Sequence, residues 1–408
     1  MKDNKEKQNR LWIRHNRIYR FFAPLISKWI GHKFNFSYDG FDPRSIEGPL
    51  IVIPNHSCAW DPLLMASAFS RRHMYFVASE HIMRMPTWGP VISFLVAPIP
   101  RKKASSGSGT VIACLRHLKA GHSICLFAEG EQSWDGVSGH VFPATGKLVK
   151  QSGATLVTYR LEGAFLSLPR WAKGLRRGRV FGKVAGVYGP DELAKMTAGE
   201  IDELIDRDIY FDVWNWQDSQ PDGPVKYIPQ KREYGTAARL EKGLFMCPGC
   251  RSIGTLSTQG RRISCGCGFG ADLADSGFLD PPEPFRTIRE WDAWETSELS
   301  SIIDKALQSG KEGEGELFSD GSAELSRVEG DHTDSLMAQG RLSLKCSGGS
   351  LILSACGTDF ALSAIENMAP VLSSMLLFSD GKDYCQIRSE EANLRKYLLA
   401  WQHINKDN

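Results

Sequence analysis

The chain has 408 residues, of which 42% are hydrophobic and 24% charged, and its formal net charge is +2. That length is too great for one ordinary core, so two or three domains are predicted, and the composition excludes a disordered chain. Net charge so close to zero implies no partner for the chain as a whole, and with no apolar run of roughly 18 residues an ordinary membrane-spanning helix is excluded.

Local charge says more than the total. Residues 1–34 hold nine Lys/Arg against two Asp/Glu, and residues 170–183 hold six basic and no acidic residues. Residues 200–222 hold eight acidic residues and one basic. Two basic patches and one acidic segment predict that one side meets an anionic surface or substrate. Residues 8–30 predict a helix or a pair of helices. Ile18, Phe22, Leu25, Ile26 and Trp29 recur at helical spacing, Arg10, Arg14 and Arg17 take another face, and Pro24 should kink or break it. A basic amphipathic segment of this kind is what a membrane-surface helix needs; packing on the protein's own core is the alternative. No cleavable signal sequence is expected.

From Pro49 to about Gly189, β-branched apolar runs alternate with helical patterns. The strands are "LIVIP", "MYFVAS", "SICLFAE", "TLVTYRLEG" and "RVFGKVAGVYG". This alternation predicts an α/β fold with a mainly parallel sheet flanked by helices. Residues 85–99 ("MPTWGPVISFLVAPI") read as a buried strand and loop or as a patch that dips into lipid. After Pro221 the composition changes. Two Cys pairs lie between Cys247 and Cys267, and from about Glu316 short β runs separated by Gly turns lead to a periodic helix, "EEANLRKYLLAWQHI". The expected division is therefore 1–34 membrane-surface segment, 35–225 α/β domain, 226–290 zinc ribbon, and 291–408 a helix plus a small β-rich domain. The order of elements in that last domain resembles a pleckstrin-homology-like domain.

The segment "PNHSCAWDP" follows the first of these strands. His56 needs a partner on one ring nitrogen to serve as a general base, and Asp61, five residues on, can reach back across the turn to supply it. Asp61 acting only as a helix cap before Pro62 is the competing reading. A second strand runs into Glu129 and Gly130. In a parallel sheet the carboxyl ends of strands line the ligand crevice, so His56 and Glu129 are expected to converge.

Together these stretches resemble the phospholipid acyltransferase superfamily. Its N-H-x-x-x-x-D motif is matched by Asn55, His56 and Asp61, its Arg block by Arg101, and its F-P-E-G-T-R-S block by residues 127–133. The resemblance spans about residues 15–215. It implies acyl transfer from a thioester, acyl-CoA or acyl-carrier protein, to a hydroxyl of a lysophospholipid such as 1-acylglycerol-3-phosphate. His56 would be the base and Asp61 its partner, with Asn55, Arg101, Glu129, Gly130 and Arg160 at the substrate. Glu131 and Gln132 stand where the family has Thr and Arg, which puts a phosphorylated acceptor in question. A non-phosphate lipid acceptor and a catalytically weak lipid-binding scaffold are the rival readings. Membrane lipids and the acyl donor are the expected partners, at the cytoplasmic side of a membrane, and nucleic acid is not expected.

Cys247 and Cys250, then fourteen residues, then Cys265 and Cys267 set four thiolates on two knuckles. Four such ligands satisfy a tetrahedral Zn²⁺ and leave no open position, so a structural zinc is expected, with no organic cofactor. The other six cysteines are scattered, which suits a reducing compartment.

Overall fold

Leu50–Pro54 is apolar at every position and buried at every position, because it is the middle strand of a seven-stranded sheet. The computed structural model describes residues 2–85, 87–102, 107–231, 233–309, 314–329 and 334–406, without the side chains of residues 2–9 and of Trp88. The described residues fall into two compact units. One comprises those of Met1–Lys102, Gly107–Pro169 and Arg176–Tyr227, the other those of Arg170–Leu175 and Ile228–Asn408.

In the first unit the strands lie in the order Phe36–Tyr38, Val180–Tyr188, Thr155–Glu162, Leu50–Pro54, Ser123–Cys125, Met74–Ser79, Ile99–Arg101. The last five run parallel to one another. Val180–Tyr188 is antiparallel to Thr155–Glu162, and Phe36–Tyr38 runs parallel to Val180–Tyr188. The unit is thus α/β with a mostly parallel sheet. Ile51, Ile53, Ile124 and Leu156 from its strands are buried with Cys114, Leu118, Leu148, Ile201 and Ile205 from three helices.

The N-terminal segment is one helix, Lys2–Phe34, with Pro24 inside it instead of at a break. Tyr19, Ala23, Ile30 and Phe34 are buried, whereas Phe21, Phe22, Leu25 and Trp29 are exposed. One stripe thus packs on the protein, as the core-packing reading expected, and another stays apolar and exposed. The segment 85–99 does not form the buried strand that its apolarity suggested. Trp88–Val96 is a helix, and Val91, Phe94, Leu95 and Val96 are exposed on it. Arg14 lies 4.4 Å above the Phe94 ring and so joins this helix to the first. Among the described residues no helix is long and apolar enough to cross a membrane.

In the second unit a four-stranded antiparallel sheet follows the first Cys pair, with strands Leu256–Gln259, Arg262–Cys265, Gly270–Leu273 and Leu279–Asp280. A seven-stranded antiparallel sheet spans residues 315–388, and helices Ile288–Gln308 and Arg395–Ile404 belong to the same unit. Along that second sheet its own strands run fourth, third, second, first, seventh, sixth, fifth. Phe245 and Met246, just before Cys247, are buried with Leu299, Ile303, Leu325, Leu344 and Leu353. The segments 226–290 and 291–408, read separately from the sequence, share that core. Glu295 ties them further, accepting hydrogen bonds from the Phe245 and Met246 N–H groups at 2.9 and 3.0 Å.

Candidate active site and cysteine cluster

The turn after Leu50–Pro54 is organised by one carboxylate. Asp61 is fully buried, and its Oδ2 accepts from His56 Nδ1 at 2.9 Å, Ser57 N at 2.6 Å and Cys58 N at 2.8 Å. Its Oδ1 accepts from Cys58 Sγ at 3.1 Å. Asp61 lies in the first turn of the helix Asp61–Ala68, where a negative charge is favoured, but its side chain looks back into the turn and not along the helix. The capping-only reading is therefore wrong for this residue's contacts. A carboxylate that accepts from His56 Nδ1 places a ring proton on that nitrogen. That leaves Nε2 to meet a substrate. The Phe127 ring stacks on the imidazole at 4.2 Å between centroids, which limits its rotation.

Glu129 does converge on His56. Its Oε1 accepts from the His56 N–H at 2.6 Å and its Oε2 from the Gly139 N–H at 2.6 Å. One carboxylate thus clamps two loops. Burial pushes it up to about 8 against the effect of the two N–H donors, with Asp61 and Asp206 adding to the rise. The Ser133 N–H donates to the His56 carbonyl at 3.0 Å, so the loop that carries Glu131 and Gln132 is tied to the His56 turn.

Asn55 also works on the backbone. Its Oδ1 accepts from Leu161 N at 2.6 Å, and its Nδ2 donates to the Leu161 carbonyl and to Ser57 Oγ, each at 3.1 Å. This staples the His56 turn to the neighbouring strand. Asn55 and Glu129, both expected at the substrate, commit their polar atoms to main chain and to Ser57.

Arg101 ends the strand Ile99–Arg101, and its guanidinium lies 5.2 Å from the Phe142 ring centroid. Partial burial lowers its pKa, and no carboxylate lies within ion-pair distance of it among the described residues. Phe142 in turn lies over Gly130, where an added Cβ would come within 2.0 Å of the ring. Gly130 has φ of +77°, so both its backbone and its neighbour require glycine. Arg101, Phe142, Gly130, Glu129 and His56 are therefore one contiguous series. Arg160 stands apart from it. Its Nε and Nη2 donate to the Asp208 carbonyl at 3.2 and 2.7 Å, at the end of the helix Ala198–Ile209. Phe127, Phe142 and Cys58 were missed as site residues. Cys58 sits inside the motif itself, and the two phenylalanines flank Glu129 and Gly130 in sequence or space.

The four cysteine sulfurs lie within 4.8 Å of one another. Cys247 Sγ is 3.6 Å from Cys267 Sγ, and Cys250 Sγ is 3.8 Å from Cys265 Sγ. A tetrahedron with Zn–S bonds of about 2.3 Å has edges of about 3.8 Å, whereas a disulfide would need about 2.05 Å. The donor set and its spacing fit Zn²⁺.

Residues 35–162 match the family model described as Acyltransferase. With the mostly parallel α/β sheet and the His56–Asp61 pair, this supports an acyltransferase domain in the first half of the chain. Among solved structures the chain is similar to the 1-acyl-sn-glycerophosphate (LPA) acyltransferase PlsC from Thermotoga maritima, at 18% identity. That similarity covers 50% of this chain and 87% of the other, with a TM-score of 0.39.

Proposed function

We propose that the first unit transfers a fatty acyl group from a thioester, acyl-CoA or acyl-carrier protein, to a lipid hydroxyl, with 1-acylglycerol-3-phosphate as the type of acceptor. The observation that carries this reading is the His56 Nδ1 to Asp61 Oδ2 contact of 2.9 Å on a fully buried carboxylate. The acceptor hydroxyl gives its proton to His56 Nε2 as its oxygen attacks the thioester carbonyl carbon. Asp61 stabilises the imidazolium that forms, as the acid does in a Ser-His-Asp triad. The C–S bond then breaks and the leaving thiolate takes the proton from His56. No acyl-enzyme is formed. Asn55 and Glu129 act as positioning residues, since they hold the backbone on either side of the imidazole. Arg101 is the cation offered to an anionic acceptor, because among the described residues no carboxylate pairs with it. Gln132, uncharged and beside the base, supports a second reading in which the acceptor is a neutral lipid. Thioester consumption by the purified chain, measured against lyso-lipids with and without a phosphate, separates the two. His56→Ala should abolish turnover with every acceptor, and turnover near the wild-type rate would exclude His56 as the base.

Two further roles accompany this reading. Cys247, Cys250, Cys265 and Cys267 hold a structural Zn²⁺, which braces the knuckles of the four-stranded sheet. The exposed stripe of Phe21, Phe22, Leu25 and Trp29, with Val91, Phe94 and Leu95 of the helix Trp88–Val96, rests on a membrane surface, and Arg10, Arg14 and Arg17 of the first helix meet anionic lipid. The cytoplasmic side is the face where such lipid is found.

A further inference from the structure

A cavity of about 600 Å³ opens in the first unit, well away from His56. His73, just before the strand Met74–Ser79, and Ser123, which begins the strand Ser123–Cys125, line it. Both strands run parallel to Leu50–Pro54 within the sheet, so these amino ends lie at the edge opposite the His56 turn. The cavity is distinct from the candidate active site.

Its lining is cationic. Arg20 comes from the first helix, Arg44 from the turn Pro43–Ser45, and Arg71 and Arg72 from the segment after the helix Asp61–Ala68. Among the described residues one acid pairs with them. Asp42 holds Arg44 through Nη2 at 2.7 Å and Nε at 3.1 Å, and it lies 3.8 Å from Arg71 Nη1. Arg72 is spent on neutral oxygens. Its Nη1 donates to the Pro43 and Ile46 carbonyls at 2.7 Å each, its Nε to Ser123 Oγ at 3.1 Å, and its Nη2 to the Gly48 carbonyl. Among the described residues neither Arg20 nor Arg72 has a carboxylate within ion-pair distance. The histidines nearby add no charge at neutral pH: burial, with His15, His122 and His117 around it, pushes His73 down to about 4. Four guanidinium groups against one carboxylate in a concave site concentrate positive potential there.

We propose that this cavity binds a water-soluble, phosphate-bearing small molecule, with Arg20 and Arg71 closing on the phosphate from the rim. Arg72 supplies a fixed positive charge in the wall, and paired guanidinium forks suit phosphate oxygens. The size is that of an ordinary small-molecule site. Trp12, stacked on His122 at 5.3 Å, adds an aromatic wall. Solubility of the ligand follows from the helix. At about 100° per residue, Arg20 stands roughly 180° round from Trp29, roughly 160° from Phe22, roughly 140° from Leu25 and roughly 100° from Phe21. The cavity therefore opens away from the exposed apolar stripe, where a bilayer headgroup would sit.

Isothermal titration of the full chain with inorganic pyrophosphate and with ADP tests this. Saturable binding in the millimolar range or tighter is expected. The R20Q/R71Q double variant should lose at least tenfold in affinity, and R20K/R71K should recover part of it; both positions are exposed, so thermal unfolding should be unchanged. Sedimentation with anionic vesicles should be the same for wild type and R20Q/R71Q. Absence of saturable binding, or equal affinity in the double variant, overturns the proposal. Loss of vesicle binding in R20Q/R71Q without pyrophosphate or ADP binding makes the cavity a headgroup site and overturns it too.

Discussion

Asp61→Asn is the substitution that isolates charge from geometry at the proposed base. An asparagine whose amide oxygen takes the place of Oδ2 can still accept from His56 Nδ1, Ser57 N and Cys58 N, which lie at 2.9, 2.6 and 2.8 Å from the native atom. Its amide nitrogen then faces Cys58 Sγ, and the thiol must change from donor to weak acceptor. The fold of the turn should survive. The energy that goes is the interaction of a carboxylate with an imidazolium that exists only as the proton is transferred. Hydrogen bonds to a charged group contribute about 1.5–3 kcal/mol net, against about 1 for neutral pairs. Loss of a correctly supported base typically costs about 10²–10⁴ in rate, or roughly 2.7–5.4 kcal/mol. The expected result is therefore a kcat lower by about 10²–10⁴, with the thioester KM within a few-fold and little change in the unfolding temperature. Steady-state thioester release and a thermal scan on the same preparation give both readouts. In a His56→Ala background, Asp61→Asn should add nothing, because the two act as one unit. An Asp61→Asn protein with wild-type kcat, or an additive loss in the double variant, would show that the pair is structural.

Four other outcomes are expected. Arg101→Ala should raise KM for a phosphorylated acceptor about 10- to 150-fold, the equivalent of one charge-assisted hydrogen bond, with kcat little changed; an unaltered KM places the acceptor anion elsewhere. Elemental analysis should find one zinc per chain, and Cys250→Ser should lower it; protein prepared without chelators and still metal-free excludes the site. Binding to anionic vesicles should weaken with salt and with Phe22→Glu/Leu25→Glu; equal binding to neutral vesicles contradicts the electrostatic part. Burial holds His73 and His117 at about 4, below the value of about 6.5 for an unfolded histidine. The unfolded chain then binds more protons between those limits, so their contribution to stability is full above pH 6.5 and lost as pH falls toward 4. Thermal unfolding from pH 7 to 4.5 should show that loss, shallower in His73→Phe, and an identical slope in the variant removes His73 from the effect.

The readable part of the site was the local part. His56 and Asp61 share one turn, so their order along the chain nearly dictates their contact, and the strand ahead of them announces where the turn must sit. Glu129 could be brought near His56 by the logic of parallel strands. Its use as a clamp on two amides could not, because it depends on where the Gly139 loop returns. The fork that Arg160 makes was hidden for a similar reason: the carbonyl that takes it belongs to Asp208, 48 residues away. The helix Trp88–Val96 was obscured by its own apolarity, since a run without polar residues carries no period to read. The cationic cavity draws its arginines from three separate segments, and no single stretch of sequence signals it.

The first helix has a bearing on how this chain can be dissected. Its inner face supplies buried Tyr19, Ala23, Ile30 and Phe34, and Trp29 and Phe34 pack on Trp60, inside the His56 turn, at 5.5 and 5.4 Å between ring centroids. The same rod walls the cavity at the other end of the sheet through Trp12 and Arg20. It is a wall, then, and not a tether. A truncated chain that no longer binds vesicles would also have lost one side of the His56 turn, and its inactivity would say nothing about lipid. Outward-facing point changes are the dissection that the architecture permits, and the part that the exposed stripe plays is better tested by recolouring it than by cutting it away.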